Sequence, residues 1–153
     1  MKTNLLQDIY PLSPMQEGLL FRSLYEASDE YLIQMILTLE GDLESSLLRA
    51  AWQEVVNHHS ILRTGFIWEG LNYPHQFVLK SLNVPWAEKD WSLYPSYQQN
   101  LMLEEEIISD RNIRFDLTKP PLMRFKFLRL SNSRAYLLWT HHHILLDGWC
   151  GPI

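Results

Sequence analysis

Residues 122–148 read LMRFKFLRLSNSRAYLLWTHHHILLDG, two apolar-rich runs, Leu122 to Leu130 and Ala135 to His141, around the polar turn Ser131 to Arg134. Pro120 and Pro121 break the chain just before them, so the stretch predicts an antiparallel hairpin that feeds a loop at His142. Working towards the N-terminus, helical and strand patterns alternate. Ser13, Pro14 and Gln16 have the form of a capping box with proline at the first helical position. Met15, Leu19, Leu20 and Leu24 then recur at helical spacing, which predicts a helix over Pro14 to Glu26. Between Tyr31 and Leu39 every odd position is apolar while Gln34 and Thr38 fall on the even face, a strand ended by Gly41. Asp42 is placed to cap a second helix, Leu43 to His59, with Leu47, Leu48, Ala51, Val55 and Val56 on its inner face. Alternation from Leu62 to Trp68, a turn at Gly70, Asn72 and Pro74, and the run His75 to Lys80 predict paired strands. A third helix is expected over Pro95 to Asn112, with Leu101, Ile107 and Ile108 inward and Glu104 to Glu106 a solvated face. The sum is an α+β unit, three helices packed on a sheet formed by these strand regions.

Composition narrows the function classes. The 153 residues are 46% hydrophobic, enough for a buried core, with 18 acidic against 13 basic side chains and a net charge of -5. The bases are scattered, so neither nucleic acid nor an anionic membrane surface is an expected partner. No apolar stretch reaches the roughly 20 residues of a membrane helix, and Met1 to Asn4 do not open a secretory signal. The single cysteine, Cys150, has no internal partner, which suits a reducing, cytoplasmic setting. The chain stops at Ile153, directly after the histidine cluster and without a closing helix pattern, so an incomplete domain is expected.

Chemistry concentrates at His141, His142, His143, Asp147 and Gly148. Because strand side chains alternate, His141 and His143 should face one way and His142 the other, so at most two of them act together. A neutral imidazole takes a proton from an attacking amine or hydroxyl near pH 7, an acid beside it can pair with a buried arginine, and glycine lets the backbone turn sharply. Metal binding is not expected: adjacent strand histidines seldom chelate one ion, and no second cluster stands at zinc spacing.

His142, His143, three apolar residues, Asp147 and Gly148 resemble the HHxxxDG motif of condensation domains, epimerisation domains and chloramphenicol acetyltransferase-like enzymes. Two further stretches narrow the resemblance to condensation domains of nonribosomal peptide synthetases. Tyr10 to Phe21, YPLSPMQEGLLF, is similar to their opening motif. His58 to Phe66, HHSILRTGF, resembles RHExLRTxF, departing with His58 in place of arginine and Ser60 in place of glutamate. Phe115, Asp116 and Leu117 with Pro121 and Leu122 resemble the segment before the active-site hairpin, so the resemblance runs over nearly the whole chain in family order.

That resemblance implies a chloramphenicol acetyltransferase-like lobe, half of a two-lobed V with the active site in a tunnel between the lobes; residues 1–153 would form the N-terminal lobe, stopping just after HHxxxDG. It implies amide bond formation between donor and acceptor substrates held as phosphopantetheine thioesters on carrier domains, with no cofactor bound by the domain itself. The implied partners are the two peptidyl carrier domains, the C-terminal lobe and an adenylation domain of the same assembly line. His143 would position or deprotonate the acceptor amine, His142 would be structural, and Asp147 would pair with an arginine, either Arg63 or one in the other lobe. Gly148 would permit a turn or bring an N–H near the oxyanion. This chain without its second lobe would be inactive. The triple histidine with Asp-Gly-Trp is similar to subtypes that accept a donor ending in a D-residue. The alternatives are an epimerisation domain and a non-catalytic lobe that binds carriers.

Overall fold

The computed structural model describes residues 5–25, 31–148 and 150, so the expected helix end at Glu26 and the motif's Trp149 lie outside the described residues. In chain order the elements are β1 (Leu6–Pro11), α1 (Pro14–Tyr25), β2 (Leu32–Glu40), α2 (Ser45–His58), a 3-10 turn (Ser60–Arg63), β3 (Thr64–Ile67), β4 (His75–Leu79), β5 (Trp86–Asp90), α3 (Ser96–Arg111), β6 (Met123–Ser131) and β7 (Arg134–His142). The expected hairpin is β6–β7, in register from Met123 opposite His141 to Ser131 opposite Arg134.

The single sheet expected from the sequence is instead two, a four-stranded sheet in the order β2-β7-β6-β5 and a three-stranded one in the order β1-β4-β3. Two strands carried no local signal. All six residues of β1 are exposed, and β1 is ordered by pairing along β4. In β5 the sequence WAEKD is mostly charged; it lies parallel to β6 with α3 in the crossover, so its hydrogen bonds depend on a partner over thirty residues away. The third strand region is shorter than expected, because Ser60–Arg63 wind into the 3-10 turn and β3 starts at Thr64.

The capping box forms as expected: Ser13 N–H donates to Gln16 Oε1 (2.9 Å) and Gln16 N–H to Ser13 Oγ (3.3 Å). Asp42 is no cap, since α2 starts at Ser45 with Glu44 at its N-cap and no side-chain capping bond. The inner face of α2 is Ser45, Leu48, Trp52 and Val56, leaving Leu47 and Val55 exposed. Trp52 sets this rotation by packing at a tilt against both Phe125 and Trp139 (centroids 4.4 and 4.9 Å) on one face of the four-stranded sheet.

The largest correction is α3, which covers the sheet's other face. It buries Gln99, Glu106 and Asp110 and exposes Leu101 and Ile108. Its rotation is set by the strands beneath it. Arg124 and Lys126 alternate with the core residues Met123, Phe125 and Phe127 and so rise from the α3 face, where acids are needed to neutralise them. Glu106 binds Lys126 (2.7 Å) and Lys89, so it is no solvated acid.

Candidate active site

Three histidines end β7, and the strand's period of two separates them. Odd positions of β7 and β2 face α2: Trp139 and His141 stand beside Ile33 and Met35. His143, in the turn that follows, joins them, and together with Leu146, Asp147 and Gly148 these residues line a cavity of about 290 Å³. His142 faces the opposite side, towards α1.

The end of β7 is anchored from the α3 face. Asp110, fully buried, takes Arg124 Nε on Oδ1 (2.8 Å) and Arg124 Nη2 on Oδ2 (3.0 Å). Lys126 Nζ lies 2.9 Å from Oδ1, while Gln34 Nε2 (3.1 Å) and Thr140 Oγ1 (2.6 Å) donate to Oδ2. Burial works to raise the Asp110 pKa, but the bonds from Arg124, Thr140 and Lys126 outweigh it and hold the carboxyl well below the usual carboxylate range. Thr140 immediately precedes His141, so this clamp fixes the strand from which the histidines project. Asp110 was not among the residues expected at the site. The signal that could have found it is the pair of cations on one face of β6.

His142 is bonded on both nitrogens. Its Nδ1 accepts from Ile144 N–H (3.2 Å), which places the proton of the neutral ring on Nε2, 3.3 Å from Ser23 Oγ. The Ser23 hydroxyl in turn donates to Leu19 O (2.7 Å). Burial, with the charges of His143 and His141 adding, pushes the His142 pKa down to about 4, so the ring is neutral at pH 7. Its bonds join the turn after β7 to α1.

His141 is 5% exposed and its ring lies against Trp139 at 4.7 Å. Burial and then the charge of His143 push its pKa down to about 4. His143 is only partly buried. On both rings Nδ1 is buried without a hydrogen-bond partner among the described residues, leaving Nε2 as the nitrogen open to the cavity.

Two expected roles change. Arg63 does not hold Asp147: its Nε donates to Val56 O (3.0 Å), Nη1 to Gln7 Oε1 (2.8 Å) and Leu79 O, and Nη2 to Asn57 O (3.3 Å). Buried there, Arg63 ties the end of α2 to β1 and β4. Asp147 accepts from Cys150 Sγ (3.2 Å) within its own loop. Gly148 has no left-handed φ, and a Cβ there would meet nothing within 4 Å. No left-handed turn therefore calls for glycine here, and Gly148 borders the cavity. Among the described residues no group of three or more His, Cys, Asp or Glu is placed to hold a metal, and no helix is long and apolar enough to cross a membrane.

Known proteins are similar to this chain in sequence and in fold. The chain is 36% identical over 149 residues to tyrocidine synthase 2 of Brevibacillus parabrevis, covering 97% of this chain and 4% of that protein. It is 34% identical over 146 residues to bacitracin synthase 3 of Bacillus licheniformis, covering 95% and 2%. The chain thus spans only a few per cent of the length of these curated relatives. Among solved structures, the starter condensation domain of rhizomide synthetase shares the fold with a TM-score of 0.78 at 24% identity, over 94% of this chain and 36% of that one. A four-domain nonribosomal peptide synthetase matches with a TM-score of 0.77 at 17% identity, over 94% and 11%. The family model described as Condensation domain matches residues 6–153, which takes in the capping-box helix, both sheets and the histidine turn: the chain belongs to the condensation domain family.

Proposed function

We propose that this chain forms the N-terminal lobe of a condensation domain that joins a donor and an acceptor, each held as a phosphopantetheine thioester on a carrier domain, through an amide bond. The observation that carries this reading is the division of labour at the end of β7, where His142 is bonded into the lobe while His143, Asp147 and Gly148 line an open cavity. In the reaction the acceptor amine attacks the donor thioester carbon, and the carrier's thiol leaves. An α-amine has a pKa near 8, so about a tenth is neutral at pH 7, and holding that amine in line already lowers the barrier. His143 positions the amine and receives its proton. Both pantetheine arms arrive with the carriers, so the lobe holds no cofactor of its own. The C-terminal lobe supplies the second wall of the tunnel, and an adenylation domain of the assembly line charges the acceptor carrier.

The test is a loading assay with donor and acceptor carriers, following the amide product by mass spectrometry. The chain continued into its second lobe is expected to turn over and the 153-residue chain alone is not. His143→Ala in the two-lobed form is expected to slow turnover at least about a hundredfold. No amide from the two-lobed form would reject the function, and an unimpaired His143→Ala form would remove His143 from the chemistry.

A further inference from the structure

The HHxxxDG pattern leaves His141 without a role, yet His141 lies on the reactive face. It shares the cavity with His143, Asp147 and Gly148, directly opposite Ile33 on β2 and Met123 on β6. Its ring is held by contact with Trp139 and is 5% exposed. A neutral imidazole has one N–H and one lone pair, and a buried N–H with no acceptor is the costlier of the two to leave unpaired. Nδ1 of His141 is buried without a hydrogen-bond partner among the described residues, so the lone pair belongs there and the proton on Nε2, at the cavity. A ring whose pKa is pushed down to about 4 is a weak base that keeps its proton when it donates, and it changes tautomer through the imidazolium only rarely at neutral pH. His143, in the turn beyond the strand, is less buried than His141.

We infer that His141 is a second functional imidazole of the site, a fixed Nε2–H donor to the carbonyl oxygen of the donor thioester as negative charge develops there. This rests on the amide-forming reading above and assigns the electrophilic half of that reaction. The amine's electron pair forms the new C–N bond, and the C=O π pair moves onto the oxygen, where it meets the His141 N–H. The oxygen pair then re-forms C=O, the C–S bond breaks onto sulfur, and the amine proton held by His143 passes to the thiolate. The products are one amide and one free carrier thiol, and His141 ends as it began.

Two experiments test it. In the chain itself, ¹⁵N resonances of the His141 ring should show the Nε2–H tautomer, unchanged between pH 5.5 and 8. A proton on Nδ1, or titration within that range, would overturn the assignment whatever the activity. In the two-lobed domain, His141→Phe keeps a ring beside Trp139 and removes the donor. It is expected to lower kcat about a hundredfold while moving KM for either carrier less than about threefold. It should weaken a trifluoromethyl ketone analogue of the donor thioester by the same factor as kcat, and His141→Gln, which restores an N–H, should recover most of the loss. A His141→Phe rate within threefold of the parent, or equal weakening of analogue and ground-state substrate, would sink the proposal. If His141→Phe is silent while His143→Ala is dead, only the role of His141 fails. If the parent forms no amide but the tautomer is as stated, it is the amide-forming reading that fails.

Discussion

His141 and His142 sit on opposite faces of β7, yet burial pushes both pKa values from 6.5 down to about 4. The consequence for stability follows from proton linkage. Above pH 6.5 neither the folded nor the unfolded chain protonates these rings, and stability is at its fullest. Between about 6.5 and 4 the unfolded chain binds protons that the folded chain refuses, so stability falls with pH, by up to about 3 kcal/mol per ring, and levels off below 4. Urea unfolding at pH 7, 5.5 and 4.5 should show this decline, and His141→Phe should make it shallower; an unchanged slope would show that His141 is not buried as a neutral ring. Asp110, held below its ordinary range, adds a separate loss that begins only as pH falls below about 4. The opposite facing of the three histidines was legible in the sequence, because alternation is a property of any strand. The partner of Arg63 was not, because a guanidinium reaches several candidates and only the folded chain places the Val56, Asn57 and Leu79 carbonyls around it.

Elements were easier to find than to orient. The three helices lie close to their expected spans, yet α2 and α3 are rotated from their expected faces, because helix rotation answers to the sheet beneath. For α3 that surface carries Arg124 and Lys126, and the helix answers with Glu106 and Asp110. Removing one partner of a buried ion cluster leaves uncompensated charge, so Asp110→Ala should lower unfolding free energy by about 3–5 kcal/mol. Leu101→Lys, at a position 56% exposed, should stay within about 0.5 kcal/mol. Denaturant unfolding of the two variants side by side checks the pair, and a large loss for Leu101→Lys would restore the expected rotation of α3. The same clamp bonds Thr140, so hydrogen exchange of the β7 amides near His141 should quicken in Asp110→Ala.

At the scale of the molecule, the fold leaves apolar surface uncovered on α1, where Met15 (51%), Phe21 (60%), Leu24 (46%) and Tyr25 (75%) are exposed. Phe21 and Tyr25 pack on each other with centroids 4.5 Å apart, one turn from each other along the helix. A contiguous apolar patch of this kind promotes association in water. The 153-residue chain should therefore self-associate with rising concentration in sedimentation experiments, and Phe21→Ser with Leu24→Gln should reduce that tendency without changing the unfolding midpoint appreciably; a strictly monomeric parent would contradict it. The family, the three helices, the β6–β7 hairpin and the opposed faces of His142 and His143 were determined by sequence alone, because capping, periodicity and motif spacing are written in residues a few positions apart. The division into two sheets, the edge strands β1 and β5, the rotation of α3 and the Asp110 clamp behind the histidines were decided only in the tertiary structure. Each depends on hydrogen bonds or charges contributed by chain segments distant in sequence, and no local pattern encodes which of them will meet.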